Sequence, residues 1–319
     1  MERTTAGISQ GTDPVSPHVL RLAEWKALEA EHVAAVDALT AEHLRRRRTG
    51  EKHPIIDFLF TYYRSSVGAL RTWHPGPGVA IEMEPGRAEM PPGYIEVERD
   101  PADGAAPVRA MVLDLDALRS AKERRWSRAA RIVAGTRGRA PRFSCFGLHE
   151  WAMVYRLRPQ EVRHEQVPLR VSPETIAGQV EGGVHCTHFD AFRFFTEPAE
   201  DLNDSRLDRD SQLRTEQPAC LHAGMDLYRW AAELGPACPS ALRLATFRSA
   251  LCARIIDMRA SPYDLRGYGY EPIEVETREG RAEYAAFQRR WAEETNGLRD
   301  ELLRLYSRIG IETDVETAS

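Results

Sequence analysis

The run His74-Pro-Gly-Pro-Gly78 divides the pattern of this chain in two. Proline lacks the backbone N–H and glycine carries a large entropic cost in a helix, so no helix crosses such a run. Before it, Val19, Leu20, Leu22, Trp25, Leu28, Val33, Val36, Leu39 and Leu44 recur at helical spacing. They predict one long helix, opened by Ser16-Pro17 as N-cap and first-turn proline and closed by Arg45 to Arg48 and Gly50. The four arginines suit the negative end of a helix; contact with phosphate is the alternative. A second helix is expected from near His53-Pro54, carrying Asp57, Phe58, Leu59, Phe60, Tyr62 and Tyr63. After the run the period drops to two. Gly78–Met83, Tyr94–Glu98 and Val108–Leu113 read as short strands between Pro, Gly and Asp loops.

Helical spacing then returns. Leu115–Ala134 is expected to be helical, with a basic face of Arg119, Lys122, Arg124 and Arg125, followed by an arginine-rich loop over Gly135–Arg142. Phe146–Leu157 fits helix or strand, and Val167–Val171 fits a strand. Ser172-Pro173-Glu174 has the chemistry of a helix start. Helices are expected over Leu221–Leu234, Ser240–Met258, Arg281–Glu294 and Gly297–Ser307. The fold class is therefore mainly α (α+β), a helical domain with a small β insertion around residues 78–115. The organisation expected is a disordered tail over 1–15, one globular domain over 16–309 and a C-terminal tail over 310–319. With 319 residues, 42% of them hydrophobic, the chain can bury a sizeable core.

Charge and cysteine usage narrow the functional classes. The formal net charge is −5, which gives no support to a duplex-gripping protein, whose phosphate contacts call for a basic excess. The five cysteines (Cys145, Cys186, Cys220, Cys238 and Cys252) are odd in number and lack a Cys-x-x-Cys pair, so neither a disulfide framework nor a zinc ribbon is indicated. No signal pattern and no apolar run of about 18 residues is present. A cytoplasmic protein with no membrane partner is expected. Dinucleotide, Walker, His-Glu-x-x-His, Gly-x-Ser-x-Gly and deaminase motifs are all absent.

Chemistry-bearing residues gather in three segments. The first is His185-Cys-Thr-His188-Phe-Asp190-Ala-Phe192-Arg193, where two imidazoles and a carboxylate sit among phenylalanines. If Thr187 caps a helix, His188 and Asp190 fall in its first turns, and imidazole suits zinc or iron. The second is Glu216 with His222 and Asp226, the last two four apart and hence on one helix face. His53 and Asp57 repeat that spacing. The third is Asp257-Met-Arg259-Ala-Ser-Pro-Tyr263-Asp264, where a proline ends a helix and leaves polar groups on a loop. Each has a bland alternative: caps, surface ion pairs or a buried hydrogen bond. His149-Glu150 and Arg163-His164-Glu165 carry less weight.

With these segments quoted, the chain resembles an actinobacterial family labelled 3-methyladenine DNA glycosylase. The resemblance spans roughly residues 50–305. It rests on His53-Pro-Ile-Ile-Asp57-Phe-Leu-Phe-Thr-Tyr-Tyr63, Trp73-His-Pro-Gly76 and Cys186-Thr-His-Phe-Asp-Ala-Phe-Arg-Phe-Phe195. It continues through Glu216-Gln-Pro, Leu221-His-Ala with Met225-Asp-Leu-Tyr228, Asp257-Met-Arg-Ala-Ser-Pro-Tyr-Asp264 and Glu279-Gly-Arg-Ala-Glu-Tyr284. It implies a hydrolytic N-glycosylase that releases an alkylated purine such as 3-methyladenine from damaged DNA or a purine nucleoside. In that reading Asp190 or Asp226 activates water, and Tyr62 and Tyr63 or Phe192 and Phe195 hold the base.

The residues themselves motivate an alternative, a metal-dependent enzyme acting on a small molecule. Iron or zinc would be held by His185, His188, His222, Asp190 and Glu216, with Asp226 as a further candidate ligand. His53, Asp57 and Asp257 would orient the ligands from behind. Across both readings the candidate catalytic groups are Asp190, Asp226, His188 and Asp264. The candidate substrate contacts are Tyr62, Tyr63, Phe192, Arg193, Arg259 and Tyr263. A protein that binds a ligand without turning it over is a third reading.

Overall fold

A computed structural model describes residues 18–101, 106–158, 161–162 and 166–313. The expected N-terminal tail, Ser16-Pro17 and Arg163-His164-Glu165 lie outside the described residues. The architecture is mainly helical with one small mixed sheet, as the change of period at His74–Gly78 predicts.

The sheet is larger than the insertion. His18–Leu20 forms a strand, β1, that pairs in parallel with β2 (Val79–Glu82); β2 pairs antiparallel with β4 (Val108–Leu113), which pairs antiparallel with β3 (Tyr94–Arg99). The order is β1-β2-β4-β3. The long helix α1 accordingly begins at Leu22 and runs to Thr49, so Val19 and Leu20 belong to the sheet. Arg21 is its N-cap, with the N-terminal bond made by Glu24 back to the Arg21 amide at 2.7 Å. Gly50 closes it at φ 74°, as expected. Arg45 and Arg46 pair with Glu42, and Arg45 also with Glu51, which fits the helix-end role of the arginine run.

Two short helices follow, α2 (Ile56–Tyr62) and α3 (Val67–Arg71). After the sheet comes α4 (Leu115–Gly138), which extends into the segment expected to be a basic loop. Those arginines serve internal contacts. Arg137 pairs with Asp300, and Arg139 donates to the backbone carbonyls of Leu213 and Glu216. The ambiguous segment after Phe146 gives a five-residue helix, α5 (Leu148–Ala152). Val167–Val171 contributes only an isolated bridge between Leu169 and Tyr263. Ser172 caps α6 (Pro173–Glu181) through the Thr175 amide, as its sequence predicts.

Three four-residue helices then pack beneath the main bundle: α7 (Phe189–Phe192), α8 (Glu197–Glu200) and α9 (Gln212–Thr215). The bundle consists of α10 (Leu221–Leu234), α11 (Ser240–Ala260) and α12 (Arg278–Arg308). The pair of helices expected near residues 281 and 297 is thus continuous. Gly297 costs about 1 kcal/mol in a helix interior, but buried Trp291, Thr295 and Leu302 hold the turns on both sides.

Helix α10 lies between two apolar clusters. Leu221, Met225 and Tyr228 pack into the larger, with Trp151, Phe192 and Phe247. Leu227, Trp230 and Leu234 pack into the other, with Trp126, Leu302 and Tyr306. Ile311 belongs to that second cluster, so the chain stays packed into the start of the expected C-terminal tail. Every residue of α10 from Leu221 to Tyr228 is buried, and only Arg229, Ala232 and Glu233 reach partial exposure. His222 and Asp226 are therefore inside the molecule, where each requires a partner.

Candidate metal centre and its approach chamber

Among the described residues two clusters of buried donors lie against α10, one around His222 and one around Asp226. The first joins His149, His222 and Asp257; the second joins His188, Glu216 and Asp226. In each, one donor atom per residue lies within 4.8 Å of the other two. All six side chains are buried. The clusters adjoin, since the His188 and His222 ring centroids are 5.4 Å apart.

Local structure explains how residues distant in sequence meet. The Trp151 indole donates to the Ala260 carbonyl at 2.9 Å, pinning α5 to the end of α11 and bringing His149 beside Asp257. Their Nε2 and Oδ1 atoms are 2.8 Å apart, and the His149 and His222 rings meet edge-on with centroids 4.5 Å apart. Arg254, one turn earlier on α11, holds the other Asp257 oxygen at 2.8 Å and Glu150 at 2.6 Å. At the second cluster, Asn203 clamps the Cys186 backbone at both its amide and its carbonyl. The Thr215 hydroxyl donates to the Thr187 carbonyl at 2.9 Å. These contacts seat His188 between Glu216 at 3.4 Å and Asp226 at 3.3 Å.

The charge states follow from burial and neighbours. Burial opposes a charge on His149, but Asp257 outweighs it and holds the imidazole well above its ordinary range. Burial would raise Asp257; His149 and Arg254 instead pull it well below the usual carboxylate range. Burial, then the charge at His149, push His222 far down against the pull of Asp257, leaving a neutral ring. Burial works against a charge on His188, and the Glu216 and Asp226 carboxylates reverse it. Burial raises Glu216.

Several donor atoms lack a hydrogen bond. His149 Nε2 and Asp257 Oδ1 face each other at 2.8 Å as an ion pair without the angle for a hydrogen bond, and His188 Nδ1, the ring nitrogen turned away from Glu216 and Asp226, has none either. Ligands of one ion converge on a common point, and one donor atom from each residue of a cluster does so here. A set of two imidazoles and one carboxylate suits iron or zinc.

Two chambers approach this centre. The inner cavity, about 20 Å³, is bounded by His222, Glu150, Arg254, Asp190, Tyr62 and Tyr263 among others. That is room for about one water molecule. The outer chamber, about 670 Å³, shares Tyr62 and Asp190 with the inner one. Asp190 forms the wall between them and is held by Arg193 at 3.0 Å, Arg229 at 3.0 Å and Arg209 at 3.6 Å. Burial resists its ionisation, but His188 and Arg229 keep it below the usual carboxylate range.

The structure redistributes the residues singled out in the sequence. The metal set His185, His188, His222, Asp190 and Glu216 does not form one shell. His188 and Glu216 meet with Asp226, and His222 turns to the other cluster. Asp190 is occupied by arginines. His185 is outside, because its ring pairs with Asp204 at 2.8 Å on the surface. His188 itself takes the N-cap position expected of Thr187, with no side-chain cap bond. Tyr62, Tyr63 and Arg193 line the outer chamber and Tyr263 the inner one. Phe192 packs against Phe195 in the core.

Arg259 reaches Glu271 and Glu283, and Asp264 pairs with Arg266; neither borders a chamber. Asp57 accepts from the His53 amide and pairs with His43, while His53 meets Tyr268, so neither supports the ligands. Asp257 is a member of the donor cluster itself. Sequence patterning gives little weight to His149-Glu150 and passes over Arg254, Arg229 and Arg243. The one available signal is a buried-type segment, Phe146–Leu157, carrying an imidazole and a carboxylate together.

No family model, no curated protein and no solved structure matches this chain. Among the described residues no helix is long and apolar enough to cross a membrane.

Proposed function

We propose that this protein is a metal-dependent enzyme acting on a small anionic molecule, with iron or zinc at His149, His222 and Asp257. The observation that carries the reading is the convergence of these three buried donors beside a water-sized cavity. A divalent ion there would supply a nucleophilic hydroxide at neutral pH or polarise a substrate oxygen. Arg254 fixes Asp257 by one oxygen and leaves the other toward the imidazoles. His222 is neutral at pH 7, and His149 would release its proton to an incoming ion. Tyr62 and Asp190 separate the reacting position from the outer chamber and limit water entry. His188, Glu216 and Asp226 offer a second, carboxylate-rich donor set next to the first. The five cysteines are all free thiols, in keeping with a reducing, cytoplasmic setting.

The test is to strip the protein with a chelator and return zinc or ferrous iron. Returned metal is expected to raise the Tm, because an ion bound by the native state alone stabilises it. His222→Ala should abolish the gain. An unchanged Tm with both ions would overturn the reading.

N-glycosylase activity on an alkylated purine is the second reading, favoured by the placement of Tyr62, Tyr63 and Asp190 in one chamber of nucleoside-accommodating size. It demands that Asp190 activate water or face a cationic sugar. Three arginines already engage that carboxylate and would repel such a cation, so the geometry supports the metal reading better. Release of free base from methylated DNA or nucleosides by metal-stripped protein would reverse this ranking.

A further inference from the structure

We infer that the outer chamber is a binding site for a phosphate monoester, which names the substrate class of the proposed enzyme and rests on that reading only for turnover, not for binding. Five arginines line the chamber, Arg64, Arg193, Arg209, Arg229 and Arg243, against two carboxylates, Asp190 and Glu233. Three of the arginines share Asp190. The other two pair with no carboxylate among the described residues. Arg243 is 6% exposed; one of its terminal nitrogens donates to the Thr72 carbonyl, and its Nε has no partner. A buried guanidinium with an orphaned N–H in a chamber wall calls for an anion from the chamber side.

Arg64 makes no ion pair or side-chain hydrogen bond with any described residue. Its backbone sits at φ 47°, a left-handed conformation that a residue with a branched or long side chain rarely adopts. The turn is fixed by the Ser65 amide on the Phe60 carbonyl, and the Ser65 hydroxyl meets that of Tyr228 at 2.8 Å. Strain of this kind at a chamber rim is a mark of a ligand-holding position. The buried hydroxyl of Tyr62 also lacks a hydrogen bond and adds a donor.

The surplus of arginines matches a phosphate dianion better than a single carboxylate, and the guanidinium fork suits phosphate oxygens. A volume of about 670 Å³ leaves room for an organic group beyond the phosphate. A recessed chamber in a chain of net charge −5 favours a small molecule over a duplex.

Calorimetric titration of the full chain with phenyl phosphate, benzoate and a short DNA duplex, before and after chelator treatment, tests the assignment. Phenyl phosphate is expected to bind about tenfold or more tightly than benzoate, and to bind equally well after chelation. Arg64→Ala, at an exposed position, should weaken phenyl phosphate about tenfold without lowering the Tm, and Arg243→Lys should weaken it as well. Equal affinity for benzoate, indifference to both substitutions, or displacement of phenyl phosphate by lower concentrations of duplex would each overturn the proposal. Binding that disappears on chelation would assign the phosphate to the metal and remove the arginine site while leaving the metalloenzyme reading. Persistent phosphate binding in a protein that takes up no metal would do the reverse.

Discussion

Helices α2 and α10 each carry a histidine and an aspartate four residues apart, or straddle such a pair, and the two pairs have opposite fates. His53 precedes α2, and Asp57 folds back to accept its amide while pairing with His43. The result is a helix-start lock, partly open to solvent. His222 and Asp226 sit on a helix enclosed by two apolar clusters, and they part: His222 turns to His149 and Asp257, Asp226 to His188 and Glu216. Spacing alone puts the residues of both pairs within reach of each other. Burial decides whether the pair serves itself or is recruited by other segments.

The largest test of that contrast removes a carboxylate from the buried side. Asp257→Ala strands His149 without its main counter-charge and takes one of two carboxylates from Arg254, so metal-free protein should lose about 3–5 kcal/mol in urea denaturation. A loss below about 1 kcal/mol would show the cluster to be hydrated and α10 no different in kind from α2.

The contrast sharpens with an imidazole that has no carboxylate beside it. Burial and the nearby Arg243 push His74 down to about 4. The unfolded chain then takes up its proton first as pH falls, so the stability from this group is present above about 6.5 and is lost toward 4. Between about pH 7 and pH 5 the decline should be about 2 kcal/mol, and His74→Gln should flatten the profile in that window. An unaltered profile in the variant would contradict the assignment.

Packing around α10 makes a third test. A Cβ on Gly224 would lie 2.7 Å from the Trp291 ring, so Gly224→Ala should destabilise by about 1–2 kcal/mol although alanine is the better helix former. A stabilised variant would mean that α10 and α12 are not so closely seated. The smallest effect belongs to α2. Asp57→Ala forfeits one backbone bond and a partly exposed pair, about 1 kcal/mol, and should leave the donor clusters untouched.

These fates also mark what could be read in the sequence. The bounds of α10, the start of α11, the Gly50 stop and the Ser172 cap follow from local signals, because caps, glycine and apolar periodicity act within a few residues. Strand β1 is hidden, since Val19, Leu20 and Leu22 fit a helix equally well until Val79–Ile81 supplies a parallel partner from far along the chain. The unbroken α12 shows the same tertiary override at Gly297.

In the site, His188, Glu216, His222 and Asp226 are identifiable as costly polar groups among apolar neighbours. Their grouping is not. Proximity in sequence favours His185, which the Asp204 pair keeps at the surface. It passes over His149, which reaches Asp257 only because Trp151 ties α5 to α11.

The central claim is that buried His222, drawn away from Asp226 to His149 and Asp257, belongs to a metal centre, and that the partly exposed Asp57 does not. Elemental analysis of protein purified without chelator tests it most directly, with His222→Ala and Asp57→Ala measured beside the native chain. The account predicts iron or zinc near stoichiometry in the native protein and in Asp57→Ala, and its loss in His222→Ala. Native protein without metal, or metal that survives in folded His222→Ala, would contradict it.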